Sequence, residues 1–207
     1  MTGNDRASFW DDVYRRKAPE EVSWFEASPE VSLRLIDTVG AGAEGAIVDI
    51  GGGASRLVDA LLARGFDDVT VLDVSAAALE TARWRLGEAA GRARWIVADV
   101  TRWEPERTYD VWHDRAAFHF LIDEADRRAY RDVLHAALRP GGHAIISTFA
   151  PDGPEKCSGL PVVRQDSETL ASFLGAEFET VASFRHEHGT PCGAVQRFQF
   201  TALRRSR

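Results

Sequence analysis

The spacing of hydrophobic positions changes near residue 46. Before it, residues 9–16 and 29–39 carry apolar side chains three or four positions apart, which is the spacing of amphipathic helices. Pro29 suits the first turn of the second helix, with Ser28 as its N-cap. From residue 46 onward, short apolar runs alternate with amphipathic stretches. This alternation predicts an α/β fold, with a parallel sheet that helices cover on both faces.

Seven segments have the pattern of strands, and four helices are predicted among them. The predicted strands are residues 46–50, 69–73, 94–98, 110–113, 143–149, 178–185 and 195–202. The predicted helices are residues 55–64, 76–86 with Ser75 as cap, 123–138 and 168–175 with Ser167 as cap, and residues 139–142 are predicted as a turn. The last two strands have a short connection, which permits only antiparallel pairing. The sheet is therefore predicted to be mostly parallel, with one reversed strand near its edge.

Composition narrows the class of protein and the kinds of partner. The chain has 207 residues, 44% hydrophobic and 28% charged, which predicts one globular domain over residues 1–207. A net charge of −7 argues against a nucleic-acid partner. No apolar run approaches the roughly 20 residues that span a bilayer, and residues 1–12 lack an apolar signal segment. Cys157 and Cys192 lack metal-ligand spacing. We therefore expect a cytoplasmic protein with no metal site and no membrane association.

Acidic residues and glycines follow the first three predicted strands, where open α/β sheets bind their ligands. Asp49, Gly51 and Gly53 end the first strand, Asp73 ends the second, and Asp99 follows the third. A carboxylate at Asp73 can accept hydrogen bonds from two ribose hydroxyls, and Asp99 can accept one from an adenine amino group. Together these residues predict a ligand that contains a nucleoside.

Two features favour S-adenosylmethionine (SAM) over NAD as this ligand. The dinucleotide fingerprint is G-x-G-x-x-G, and here Arg56 stands where the third glycine belongs. Asp49 would be a poor neighbour for a pyrophosphate, but it suits the ammonium and sulfonium groups of SAM. NAD remains the competing ligand at this point.

Five segments resemble the class I SAM-dependent methyltransferases. They are IVDIGGGASRLVDALL (47–62), VTVLDVSAAALETAR (69–83), WIVADV (95–100), YDVWHDRAAFHF (109–120) and ALRPGGHAIISTF (137–149). The resemblance covers most of residues 46–149, and it departs from the family at Ser55, where many relatives have a third glycine. It implies a seven-stranded Rossmann-like sheet of order 3-2-1-4-5-7-6, in which strand seven is antiparallel.

The resemblance also implies how the cofactor is held. Gly51 and Gly53 would border its methionine part, Asp73 the ribose, and Asp99 with Val100 the adenine. We add Val74 and His113 to the predicted cofactor contacts.

Three segments are predicted within the domain: an N-terminal helical lid (1–42), a SAM-binding core (46–150) and an acceptor-side loop, helix and terminal strands (151–207). Tyr14 and Trp24 are the predicted lid contacts to the cofactor. The alternative is that these aromatic side chains only pack the N-terminal helices onto the sheet.

Methyl transfer from a sulfonium needs mainly alignment, and a general base only if the acceptor holds a proton. Asp114, at the tip of the fourth strand, is the first catalytic candidate, and a turn cap is its alternative role. His119 is the second candidate, and its alternative is a packed core histidine. A small-molecule acceptor is predicted.

Two alternatives for the function stay open. The segment HDRAAF (113–118) resembles the DKGTFD-type segment of protein-lysine methyltransferases, although Ala116 and His119 depart from that pattern. A protein acceptor is therefore one alternative. A SAM-binding module without turnover is the other.

Overall fold

The computed structural model describes residues 3–206, with side chains from Asp5 onward, and is built around a seven-stranded sheet. Its strands are β1 (Ile47–Ile50), β2 (Val69–Asp73), β3 (Ala93–Val97), β4 (Tyr109–Arg115), β5 (Leu138–Phe149), β8 (Phe178–Gly189) and β9 (Val195–Arg205). A separate hairpin consists of β6 (Lys156–Cys157) and β7 (Leu160–Pro161). The helices are α1 (Gly3–Arg16), α2 (Glu30–Thr38), α3 (Leu57–Ala63), α4 (Ala76–Leu86), α5 (Glu124–Ala137) and α6 (Ser167–Leu174).

The strand order of the large sheet is β3-β2-β1-β4-β5-β9-β8. This confirms the predicted order, because the two hairpin strands only shift the numbering of the last two. β9 pairs antiparallel with both β5 and β8, while β1 to β5 are mutually parallel. The parallel strands therefore end at the same edge of the sheet.

Alternating residues of the central strands feed two hydrophobic cores on opposite faces. Ile47 lies in the core that includes α2 and α3, whereas Val48 lies in the core that includes α5 and α6. Both residues are 0% exposed. A sheet buried on both faces explains why these strands read as continuous apolar runs. Among the described residues, no helix combines the length and the apolar character needed to cross a bilayer.

Several predicted boundaries need correction. Pro29 is itself the N-cap of α2, so the helix begins one residue later than Ser28 as a cap implied. Asp166 rather than Ser167 caps α6, because its carboxylate accepts the Thr169 N–H at 2.8 Å. Residues 139–142, predicted as a turn, lie within β5 beside an irregular register. The β6–β7 hairpin was not predicted, since residues 150–159 look like a polar loop.

Candidate active site

A cavity of about 300 Å³ lies at the edge of the sheet where the parallel strands end. This volume is in the range of small-molecule sites. We call one part the strand-tip end; it is lined by Gly51, Asp73, Val74, Asp99 and Val100. We call the other part the hairpin end; it is lined by Arg115, His119, Cys157, Gln196 and Phe198.

Backbone conformation and close neighbouring atoms require glycine at positions 51 and 53. Their φ angles are +64° and +45°, which favour glycine. A Cβ on Gly51 would lie 2.5 Å from the Cβ of Ala117. A Cβ on Gly53 would lie 2.9 Å from Asp73 Oδ2 and 3.0 Å from the Tyr14 hydroxyl oxygen. Gly51 lines the cavity, whereas Gly53 lies beside it and lets Tyr14 approach Asp73.

Asp73 places a buried carboxylate on the cavity wall. It is 7% exposed, and its Oδ1 accepts the Ser75 N–H at 2.8 Å. Burial raises the pKa of Asp73 to about 7, and the nearby charges of Asp49 and Asp11 act in the same direction. Within residues 5–206, no cationic side chain forms an ion pair with Asp73. The carboxylate can therefore accept hydrogen bonds from the hydroxyl groups of a ligand.

Asp99 is held on the wall by a partner that the sequence did not suggest. Its Oδ1 accepts hydrogen bonds from the Thr101 N–H at 2.9 Å and the Thr101 hydroxyl at 2.8 Å. Its Oδ2 pairs with Arg6 Nη1 at 2.9 Å, and Arg6 also pairs with Asp126 at the start of α5. Burial raises the pKa of Asp99, but these hydrogen bonds and Arg6 lower it further, below its ordinary value. Arg6 thereby ties α1 to the strand-tip end.

Aromatic side chains of the N-terminal segment form a cluster over the cavity. Trp10 contacts Trp24 and Phe120 edge-on, with ring centroids 5.7 and 4.9 Å apart. Tyr14 contacts Trp24 at 6.2 Å, and all four residues line the cavity. Burial raises the pKa of the Tyr14 hydroxyl well above its usual range, and the charge of Asp73 adds to this. The rings pack on one another and also line the cavity, and contact of Tyr14 and Trp24 with the cofactor stays a prediction.

Asp49 and His113 form a buried pair that does not line the cavity. Asp49 Oδ1 lies 2.7 Å from His113 Nδ1, and His113 Nε2 lies 2.9 Å from the Ser32 hydroxyl. A Cβ on Gly52 would lie 2.5 Å from Asp49 Oδ2, so the pair sits directly behind the glycine loop. The pair links β1, β4 and α2. Direct contact of Asp49 or His113 with a cofactor stays a prediction, and the geometry gives both a supporting position.

Asp114 is 0% exposed and does not line the cavity. Its carboxylate accepts the N–H groups of Ala117 at 2.8 Å and Phe118 at 3.1 Å, which caps the turn after β4. It also accepts the Tyr130 hydroxyl at 2.7 Å. Burial raises the pKa of Asp114 to about 6. This geometry fits the alternative role of a turn cap, and contact of Asp114 with an acceptor stays a prediction.

His119 does line the cavity, although it is 0% exposed. Its ring contacts Phe120 and Phe149, with centroids 4.4 and 4.8 Å away. Neither ring nitrogen has a hydrogen-bond partner among the described residues. Burial lowers the pKa of His119 to about 3, so the imidazole is neutral at physiological pH.

The other polar groups of the hairpin end carry no unpaired charge. Arg115 donates to the Trp24 carbonyl oxygen at 2.6 Å and pairs with Glu26 at 3.4 Å. Burial raises the pKa of the Cys157 thiol to about 11. Gln196 Oε1 is buried without a partner in the described part of the chain. A glutamine within the apolar strand β9 was the available sequence signal for Gln196, and it was missed.

Comparisons with known proteins agree with this geometry. Residues 47–142 match the model of a family described as a methyltransferase domain. Malonyl-[acyl-carrier protein] O-methyltransferase 1 of Ilyobacter polytropus is 32% identical over 104 residues, which are 50% of this chain and 37% of that protein. EEF1A lysine methyltransferase 2 of Danio rerio is 28% identical over 155 residues, 68% of this chain and 66% of that protein. The chain thus spans between about a third and two thirds of these relatives.

A solved structure shares the fold over nearly the whole chain. It is Burkholderia thailandensis 1,6-didemethyltoxoflavin-N1-methyltransferase with bound 1,6-didemethyltoxoflavin and S-adenosylhomocysteine. The TM-score is 0.69 at 23% identity, and the alignment covers 99% of this chain and 85% of that chain. This structure confirms the predicted fold, and the match over residues 47–142 supports the prediction of a class I methyltransferase domain.

Proposed function

We propose that the protein is a class I methyltransferase that transfers a methyl group from SAM to a small, uncharged acceptor. The chemical class of this acceptor is inferred from one observation. The hairpin end of the cavity is lined by neutral or charge-paired polar side chains, and it adjoins the strand-tip end. A charged acceptor would lose its hydration there without gaining an opposite charge.

The strand-tip end fits the cofactor. Gly51, Asp73, Asp99 and Val100 would hold it, with Asp73 accepting hydrogen bonds from the ribose hydroxyls. Asp73 suits this role because it is buried and is not engaged by a cation of the described chain. When bound, SAM supplies a methyl group that its cationic sulfonium already activates. NAD fits less well, since its pyrophosphate would meet an acidic wall and Arg56 replaces the third glycine.

The contribution of the chain itself is alignment and exclusion of water. Trp10, Trp24 and Phe120 cover the cavity with apolar surface. Burial lowers the pKa of His119 to about 3, which makes its neutral imidazole a weak base, and raises the pKa of Cys157 to about 11, which keeps its thiol protonated at neutral pH. We therefore infer an acceptor atom that offers its lone pair without prior loss of a proton, such as a neutral nitrogen.

A protein-lysine acceptor is the second candidate function. The relative from Danio rerio favours it, since it is named as a lysine methyltransferase. A lysine ammonium, however, is best received by a free carboxylate. The side chains that line the hairpin end include no carboxylate, and Glu26, outside that lining, is paired with Arg115, so this alternative has less support from the site.

The test is an assay of S-adenosylhomocysteine formation with three sets of acceptors. The purified protein receives SAM with neutral nitrogen heterocycles, with small carboxylates, or with an unfolded lysine-rich protein. We expect product with the neutral set. Product with the lysine-rich protein alone would contradict the proposed acceptor class. Calorimetric binding of SAM with no product in any set would identify a binding module instead of an enzyme.

A further inference from the structure

Three buried polar atoms at the hairpin end have no hydrogen-bond partner in the described part of the chain. They are Nδ1 and Nε2 of His119 and Oε1 of Gln196. Both residues line the same cavity, with side chains that are at least nine-tenths buried. Buried polar groups are normally paired, because leaving one unpaired costs free energy. A ligand in the cavity is the partner that would satisfy these atoms.

The chemistry of these atoms defines what the ligand must present. A neutral imidazole has one N–H donor and one lone pair, and a glutamine Oε1 is an acceptor only. A complementary ligand therefore offers one acceptor and at least one N–H or O–H donor. It carries no charge, because the imidazole is neutral and Arg115 is paired with Glu26.

The apolar surroundings add a requirement of shape. Phe120 and Phe149 flank the ring of His119, and Phe198 lines the same end of the cavity. Phe149 and Phe198 contact each other, with ring centroids 4.8 Å apart. Of these rings, Phe120 and Phe198 line the cavity, and they suit a flat ring, which can pack edge-on or offset against them.

We propose that His119 and Gln196 together recognise the methyl acceptor, and that this acceptor is a neutral, planar nitrogen heterocycle with a hydrogen-bond donor beside an acceptor. This inference rests on the proposed function and specifies the substrate class of the same cavity. His119 acts by hydrogen bonding, and no proton transfer to it is required.

The experiment measures ligand binding to the protein saturated with S-adenosylhomocysteine at pH 8. Three aromatic probes of similar overall size are compared by calorimetry: benzimidazole, which is neutral, benzoate, which is anionic, and benzylamine, which is cationic. We expect benzimidazole to bind at least about tenfold more tightly than the other two. His119→Phe and Gln196→Leu should each weaken its binding at least about fivefold. His119→Gln, which keeps a donor and an acceptor, should retain more of the affinity than His119→Phe.

Thermal unfolding without ligands separates recognition from a structural role. His119→Phe removes two unpaired buried nitrogens, so we expect its Tm to rise by about 2 °C or more. A lower Tm would show that His119 has a structural partner and would overturn the inference. Preference for benzoate or benzylamine, equal affinity in the variants, or binding of none of the three probes would also overturn it. Failure of S-adenosylhomocysteine to bind would instead overturn the proposed function, and the two failures are therefore distinct.

Discussion

Replacement of Asp73 by alanine tests the cofactor end of the site. Asp73 is 7% exposed, and Ser75 N–H occupies one lone pair of Oδ1, so the carboxylate keeps acceptor capacity for two ribose hydroxyls. Loss of these hydrogen bonds costs about 1–3 kcal/mol. We therefore expect Asp73→Ala to raise the Kd for SAM by about 5- to 150-fold, measured by calorimetry at pH 8.

Asp166→Ala is the control, because the Asp166 carboxylate, like that of Asp73, accepts a backbone N–H but lies outside the cavity lining. It should lower the free energy of unfolding by about 1 kcal/mol and leave the Kd unchanged. An unchanged Kd in Asp73→Ala, or an equal loss of affinity in both variants, would refute the assignment of Asp73 to the cofactor site.

The pKa of Asp73 adds a second readout. Since it lies at about 7, SAM affinity of the unmodified protein should weaken as pH falls through 7, and this dependence should disappear in Asp73→Ala.

Two further variants test the contact of α1 with the strand-tip end of the cavity and the role of Asp114 as a turn cap. Arg6→Ala removes the cation that pairs with Asp99 and should raise the calorimetric Kd for SAM at least about threefold. Arg64→Ala, which breaks an exposed ion pair, is the control and should leave this Kd unchanged. Equal effects of the two variants would contradict the role of α1 in cofactor binding. Tyr130→Phe removes a donor to the buried Asp114 and should lower the free energy of urea unfolding by about 1–3 kcal/mol without changing SAM affinity. Because the pKa of Asp114 is raised to about 6, its protonated form stabilises the folded state at low pH, and this stabilisation is lost as pH rises through 6. The ionised carboxylate then depends on the Tyr130 hydroxyl, so Tyr130→Phe should lose more stability at pH 8 than at pH 5. A tenfold loss of SAM affinity in Tyr130→Phe would instead indicate that Asp114 takes part in ligand binding.

The fold followed from the sequence because its signals are local. The strands β1 and β2 read as apolar runs, and the short connection before β9 fixed its antiparallel pairing with β8. Gly51 and Asp73 were identifiable for the same reason, since Gly51 directly follows β1 and Asp73 is the last residue of β2. The sheet order itself came from the family resemblance.

The hairpin end could not be predicted in the same way. His119 and Gln196 are 77 residues apart in sequence (196 − 119), and only the β4–β5–β9 arrangement brings them to one cavity. The sequence left the role of Asp114 open, because a position at a strand tip suits a cap and a catalytic acid equally. What separates the two is the hydrogen bond to Tyr130, which is a tertiary contact. Arg6 had no motif to mark it.

A crystal structure of the protein with S-adenosylhomocysteine tests the central claim most directly. We expect the ribose hydroxyls to bond to Asp73, the adenine to lie between Asp99 and Val100, and the sulfur to face the hairpin end with His119 and Gln196. A ligand bound outside this cavity, or one whose sulfur points away from His119, would contradict the account.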